Sequence, residues 1–190
     1  YKKIEAARKP GSIVSSNTST IPWQTLVAGM PDRFRRDFLI THFFNPPRYL
    51  RLLEVASGAD TRPDAVDLIR RFGDVKLGKG VVMAKDTPGF IANRIGIYWL
   101  QCGVVQAMDA GVTVEEADAV GGRPMGIPKT GIFGLLDMVG LDLMPHILGN
   151  MEKTLPKDDP FHEVYRDLDL TKKMIAGGYT GRKGKGGFYR

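Results

Sequence analysis

Two residues in this chain have the types and the spacing to do chemistry together. They are His42, in Thr41-His42-Phe43-Phe44-Asn45-Pro46, and Glu54, in Leu52-Leu53-Glu54-Val55. Each lies in a short apolar run with strand character, Phe38 to Phe44 and Leu50 to Ala56. Asn45-Pro46-Pro47-Arg48 separates the runs with turn chemistry that neither strand can continue through. A chain folded back about Arg48 sets positions equally far before and after it side by side, and that places His42 opposite Glu54. Opposed side chains on paired strands are close enough to hydrogen-bond. An imidazole oriented by a carboxylate is a ready general base, because its charge changes near neutral pH. The same pairing also describes a core histidine satisfied by one carboxylate, and the residues alone leave both readings open.

The elements that must position this pair alternate. Tyr1 to Lys9 reads as the end of an amphipathic helix closed by Pro10-Gly11, and Ser12 to Ser16 as a buried strand. The polar cluster Ser16-Asn17-Thr18-Ser19-Thr20 follows, then a short helix at Pro22–Ala28 and the two strands already described. A helix is expected at Pro63–Phe72 and a strand at Val81–Ala84. Strand and helix in alternation give an α/β layout up to Lys85. Beyond Lys85 the pattern is helical. Thr87 is the expected N-cap and Pro88 the first residue of a helix running to Gly111. Apolar residues on more than one of its faces point to the centre of a bundle or to an interface. Thr113-Val114-Glu115-Glu116 spells a capping box. Further helices are expected at Ile132–Val139, Asp142–Lys153, Pro160–Leu168 and Thr171–Ala176, with an extended tail from Gly181 to Arg190. The domains expected are therefore 1–85 and 86–190.

Composition narrows the function classes. The 190 residues are 43% apolar and 25% charged, ordinary for a globular protein. The net charge of +6 is dispersed over Lys2-Lys3, Arg33-Arg35-Arg36, Arg70-Arg71 and Arg182-Lys183-Lys185. Nucleic-acid binding calls for one concentrated stripe, so no such partner is expected. No apolar run is long enough to span a bilayer. The lone Cys102 rules out an internal disulfide, reads as a packing residue and fits a reducing, cytoplasmic setting. His42, His146 and His162 are too far apart for metal spacing, and no metal is expected. Gly73 to Gly80 matches a phosphate-binding loop until Gly80, where Ser or Thr should hold magnesium, and it precedes a strand instead of a helix. The start at Tyr1, not Met, suggests a piece of a longer chain.

Three polar clusters carry a resemblance. Ser16 to Thr20, His42-Phe43-Phe44-Asn45-Pro46 with Glu54 twelve residues past the histidine, and Lys85-Asp86-Thr87-Pro88-Gly89-Phe90-Ile91-Ala92-Asn93-Arg94 together resemble the L-3-hydroxyacyl-CoA dehydrogenase family. Pro124-Met125-Gly126, Leu135 to Asp142 and Gly184-Lys185-Gly186-Gly187-Phe188-Tyr189 continue it in order. The longer spacing at Gly121–Gly131 is similar to the dehydrogenase part of fused hydratase–dehydrogenase proteins of fatty-acid β-oxidation.

The resemblance implies the last strands of a Rossmann domain, without its glycine-fingerprint half, followed by an all-α domain of the 6-phosphogluconate-dehydrogenase C-terminal type. It implies NAD as cofactor, an acyl-CoA substrate, and a homodimer formed through the helical domain. His42 would be the base and Glu54 its orienting partner. Ser19 and Asn93 would contact substrate, while Ser19, Asn17, Asn45 and Lys183 would contact the cofactor. The parent protein would oxidise (S)-3-hydroxyacyl-CoA to 3-oxoacyl-CoA, and these 190 residues alone would be inactive. Two other readings stand beside it: a non-catalytic self-association module, and a dehydrogenase of another 3-hydroxy acid.

Overall fold

The computed structural model describes residues 1–189 and divides into two compact units, Tyr1–Arg94 and Ile95–Arg190. The expected class is observed: a four-stranded mixed sheet with helices, then an all-helical unit.

In the first unit, α1 (Lys2–Ala7) leads into β1 (Val14–Ser16). Two short helices follow, α2 (Trp23–Leu26) and α3 (Asp32–Asp37), and then β2 (Phe38–Phe43), β3 (Leu52–Ser57), α4 (Pro63–Arg71) and β4 (Gly80–Ala84). The strands lie in the order β1-β2-β3-β4, with the outer pairs parallel and β2–β3 antiparallel. β2 and β3 are central and almost wholly buried, which is why they read as continuous apolar runs and not as alternation. Side chains still alternate between faces. Phe38, Ile40 and Ala56 pack with Trp23, Val27, Phe34 and Phe90 on one face. Leu39, Leu53 and Val55 pack with Ala65 of α4 on the other.

Helix α3 was not anticipated. Its sequence, Asp-Arg-Phe-Arg-Arg-Asp, contains a single apolar residue, so no periodic stripe announces it. It forms because Phe34 is fully buried and because Asp32 opens, and Arg35 and Arg36 close, its dipole. Its last residue, Asp37, sits in a buried charge network. Arg8 of α1 donates to Asp37 Oδ2 at 2.6 Å and Arg62 to Oδ1 at 2.7 Å, while Arg8 and Arg33 both engage Glu5. Burial alone would push the Asp37 carboxyl up, but the hydrogen bonds from Arg8 and Arg62 outweigh it and hold the group below its usual value. The hydrogen bond from Arg8 likewise lowers Glu5.

The second unit begins within α5 (Ala92–Ala110) and continues through α6 (Val114–Val120), α7 (Phe133–Val139), α8 (Met144–Thr154), α9 (Phe161–Val164) and α10 (Asp169–Ala176). The capping box at Thr113 is present as expected, with Glu116 N donating to Thr113 Oγ1 and Thr113 N to Glu116 Oε2. Leu100, Val104, Ile132, Phe133, Leu136 and Leu141 form its core. Helix α9 stops at Val164, short of the expected Leu168. The buried Gln101 Nε2 takes the Val164 and Arg166 carbonyls at 3.2 and 3.3 Å, so the chain can leave the helix there without orphaning them.

The tail is not simply extended. Gly181 bridges to Gly186, and the buried Asp137 accepts from Phe188 N and Tyr189 N, both at 2.8 Å. A Cβ at Gly187 would overlap the Asp137 carboxylate, which explains the glycine there. Tyr189 donates its hydroxyl to Asp118 Oδ2 at 2.9 Å, closing the strap over the start of α7.

Both carboxylates of the Arg8 network are depressed from ordinary values of 3.8 for Asp37 and 4.5 for Glu5. Their stabilisation is complete above those values and is lost as pH falls through the depressed ones. Arg8→Met should therefore lower the urea midpoint near neutral pH and flatten its fall in acid. An unchanged acid slope would show that the network contributes nothing.

Candidate active site

β2 and β3 pair in the register expected from the fold-back about Arg48, with His42 opposite Glu54. Both side chains project from the sheet face that carries Phe90, as Phe38, Ile40 and Ala56 do. His42 Nδ1 lies 2.8 Å from Glu54 Oε2, and the two residues are 5% and 1% exposed. An ionised carboxylate can only accept, so the imidazole proton sits on Nδ1 and the Nε2 lone pair is free to act. Among the described residues Nε2 makes no hydrogen bond. Rings of Phe44 and Phe90 flank the imidazole at 4.4 and 5.6 Å between centroids.

Glu54 does more than orient a histidine. Its other oxygen, Oε1, accepts from Ile91 N at 3.1 Å and Ala92 N at 2.7 Å, the amides at the start of α5. This corrects the expected helix start. Thr87 is not the N-cap and Pro88 not the first helical residue, because the helix begins at Ala92. Gly89 and Phe90 carry φ of +73° and +48°, which turns the chain out of helical geometry before that point. The cap comes from a strand 38 positions away in sequence, and local pattern carries no signal for it.

The polar loop after β1 is tied to the same edge. Thr41 Oγ1 donates to Ser15 Oγ at 2.9 Å, and Phe43 N donates to Asn17 Oδ1 at 2.9 Å. Thr18 Oγ1 accepts from Ile21 N at 2.9 Å, which leaves Ser19 half-buried at the turn. Asn45 is exposed beyond the end of β2, and its peptide bond to Pro46 is cis. Asn93 follows the capped Ala92 directly in α5. The first unit thus holds His42, Glu54, Asn17, Ser19, Asn45 and Asn93. Lys183 belongs to the second unit, where it pairs with Asp142 at 3.1 Å.

Lys79 was missed as a positioning residue. The sequence offered it only as part of a failed phosphate loop. It is buried, donates to the carbonyls of Pro47 and of Leu50 (2.8 Å), and so pins the turn joining β2 to β3. Among the described residues, no three His, Cys, Asp or Glu side chains gather as a metal site, and no helix is long and apolar enough to cross a membrane.

With this geometry in place, comparison with known proteins is decisive. Residues 1–87 match the NAD-binding domain of 3-hydroxyacyl-CoA dehydrogenases and residues 89–190 match the C-terminal domain. The chain belongs to the 3-hydroxyacyl-CoA dehydrogenase family. All of it is 45% identical to 24% of a Bacillus subtilis protein named as a probable 3-hydroxyacyl-CoA dehydrogenase. It is 40% identical to 26% of a Rickettsia prowazekii protein named for a fatty acid oxidation complex. The chain thus spans about a quarter of the length of these relatives. Among solved structures, FadB2 of M. tuberculosis superposes with a TM-score of 0.86 at 29% identity, over 99% of this chain and 63% of its own. An (S)-3-hydroxybutyryl-CoA dehydrogenase of Ralstonia eutropha gives 0.83 at 30% identity, over the same shares.

Glu54→Leu leaves His42 Nδ1 and two backbone amides without their acceptor. Because breaking a buried charged pair strands its partners, the substitution should cost about 3–5 kcal/mol. Chemical denaturation measures it, and a loss below about 1 kcal/mol would mean the amides find other partners.

Proposed function

We propose that this chain is the base-bearing part of an NAD-dependent (S)-3-hydroxyacyl-CoA dehydrogenase of fatty-acid β-oxidation. The observation that carries the reading is the His42–Glu54 pair at 2.8 Å with Nε2 left available. His42 Nε2 takes the proton of the substrate 3-hydroxyl as the C3–H bond breaks and the carbonyl forms. Glu54 holds the resulting imidazolium through Nδ1 and keeps the ring in the tautomer that can accept at Nε2. In the reverse direction the same imidazolium returns the proton to the carbonyl oxygen.

The donor set beside the strand ends fits the nicotinamide end of a dinucleotide. In open α/β sheets ligands bind outside the carboxyl ends of strands, where the loop after β1 and the end of β2 lie together here. Asn17 spends its Oδ1 on Phe43 N but keeps its amide N–H groups, Ser19 keeps its hydroxyl, and Asn45 is exposed. We assign these three to the cofactor, with Lys183 added on resemblance, and Ser19 with Asn93 to the substrate's reacting oxygen and thioester. Bound NAD supplies the acceptor for the C3 hydride.

The helical unit favours a homodimer. Ile95 and Val120 are 63% and 68% exposed, and an apolar cavity of about 260 Å³, lined in part by Leu100, Val104 and Leu148, opens within it. Such surface is characteristic of an interface, and it keeps self-association without catalysis as a second reading. A cytoplasmic location accords with the single free Cys102.

In the full-length enzyme, His42→Ala should lower kcat by about 10²–10⁴-fold while KM for acyl-CoA stays nearly constant. A kcat equal to wild type would remove the base from this residue. The 190 residues contain no strand–Gly-x-Gly-x-x-Gly–helix unit to hold a pyrophosphate. Alone, they should yield no NADH from 3-hydroxybutyryl-CoA, as followed by absorbance, and measurable turnover would contradict the assignment.

A further inference from the structure

Phe90 is the only residue other than glycine with positive φ among the described residues, at +48°. It is also buried, at 4% exposure, with its ring in the core that receives β2. A bulky side chain in this backbone region is uncommon, costs on the order of 1–3 kcal/mol, and persists only where surrounding structure enforces it. Three contacts show what enforces it. Phe90 N donates to Thr87 O at 3.0 Å, Arg94 N donates to Gly89 O at 3.1 Å, and the ring lies 5.6 Å from that of His42. With Gly89 at φ +73° immediately before it, the turn directs the next two amides, Ile91 N and Ala92 N, onto one oxygen of Glu54. Successive amides converging from a turn form an anion-holding concavity, and the start of a 19-residue helix adds its positive end.

We propose that residues Gly89 to Ala92 are a positioning element for the reaction, a backbone nest that fixes the Glu54 carboxylate and through it the tautomer of His42. The inference rests on reading His42 as the base, and adds what sets that base. Glu54 has two oxygens and two tasks. The amides fix Oε1, so rotation of the carboxylate is blocked and Oε2 stays 2.8 Å from Nδ1. Without the amides, the carboxylate could turn away and the imidazole could carry its proton on Nε2, where it is useless for abstracting another. The pair is therefore held by main-chain groups of the following segment, and the strained turn is the means of aiming them.

Ala92→Pro tests this cleanly. Ala92 is the first residue of α5, the one helical position where proline is well tolerated, and the change deletes only the N–H that donates to Glu54 at 2.7 Å. In the full-length enzyme kcat should fall roughly 10-fold, the equivalent of one charge-assisted hydrogen bond, with KM for acyl-CoA within about twofold. Ring ¹⁵N shifts of His42 should move from the Nδ1-protonated pattern toward a mixture. Asp169→Pro, at the equivalent position of α10, is the control for a proline at a helix start and should leave kcat unchanged. Wild-type kcat and ring shifts in Ala92→Pro, with only the melting temperature lowered, would reduce the nest to a helix cap and overturn the proposal. Should that variant not fold, the ring ¹⁵N shifts of His42 in the wild type decide: a purely Nδ1-protonated pattern supports the nest, and a mixed or Nε2-protonated one refutes it. If His42→Ala leaves kcat intact, the base assignment fails whatever the proline does. If His42→Ala abolishes turnover and Ala92→Pro does not slow it, only the nest is wrong.

Discussion

One buried carboxylate is the constraint on which the first unit depends. Glu54 lies in the middle of a sheet, and a charge there is tolerable only if every lone pair that matters is used. Three donors use them: the imidazole of His42 on one oxygen and two amides of the α5 start on the other. The donors come from two other parts of the chain, β2 and the start of α5, so satisfying the charge fixes the register of β2 against β3, the first turn of α5 and the tautomer of the histidine at once. Fold and site are therefore not separable here. Whatever loosens the strand pair or the helix start also releases the imidazole.

The strand pair was legible because the relevant physics is short-range. Side-chain period, the turn residues Asn45 to Arg48 and equal spacing about Arg48 determine which residues face each other, and the observed register pairs His42 with Glu54. The chain order of elements was legible for the same reason. What the sequence could not show were interactions closed over distance. The start of α5 looked like a Thr-Pro cap at Thr87, but the decisive acceptor is on β3. Helix α3 has no apolar stripe and is held by one buried phenylalanine and by salt bridges to α1 and to Arg62. Lys79 sits among glycines that suggest a phosphate loop, yet its charge is spent on two turn carbonyls. Family resemblance suggested the proposed roles of Ser19, Asn17, Asn45, Asn93 and Lys183, which residue types alone would leave as an ordinary polar turn, a mid-helix amide and a basic tail.

The same device recurs throughout the molecule. Asp86 accepts twice from Trp23 N, opening α2. Asp118 accepts from Ile132, Phe133 and Gly134 at the start of α7, and Asp137 from Phe188 and Tyr189 in the tail. In each case a carboxylate far away in sequence satisfies helix-end or loop amides that have no partner of their own. These contacts carry direction as well as energy, because an amide must point at its acceptor. Many of the chain's helices are short, and short helices are marginal without tertiary support. Caps supplied from elsewhere give such helices fixed starting points.

This arrangement explains why strain is concentrated where it is. A residue such as Phe90 cannot hold φ +48° on local preference, so its conformation must be the by-product of contacts on both sides. On one side its ring is locked into the core with Phe34, Phe38 and Trp23; on the other, the amides that follow it are held by Glu54. Buried apolar area offsets the backbone cost, and the carboxylate converts that cost into alignment. The strain is therefore stored between the packing core and the His42–Glu54 pair, where a small backbone displacement would be felt at the imidazole.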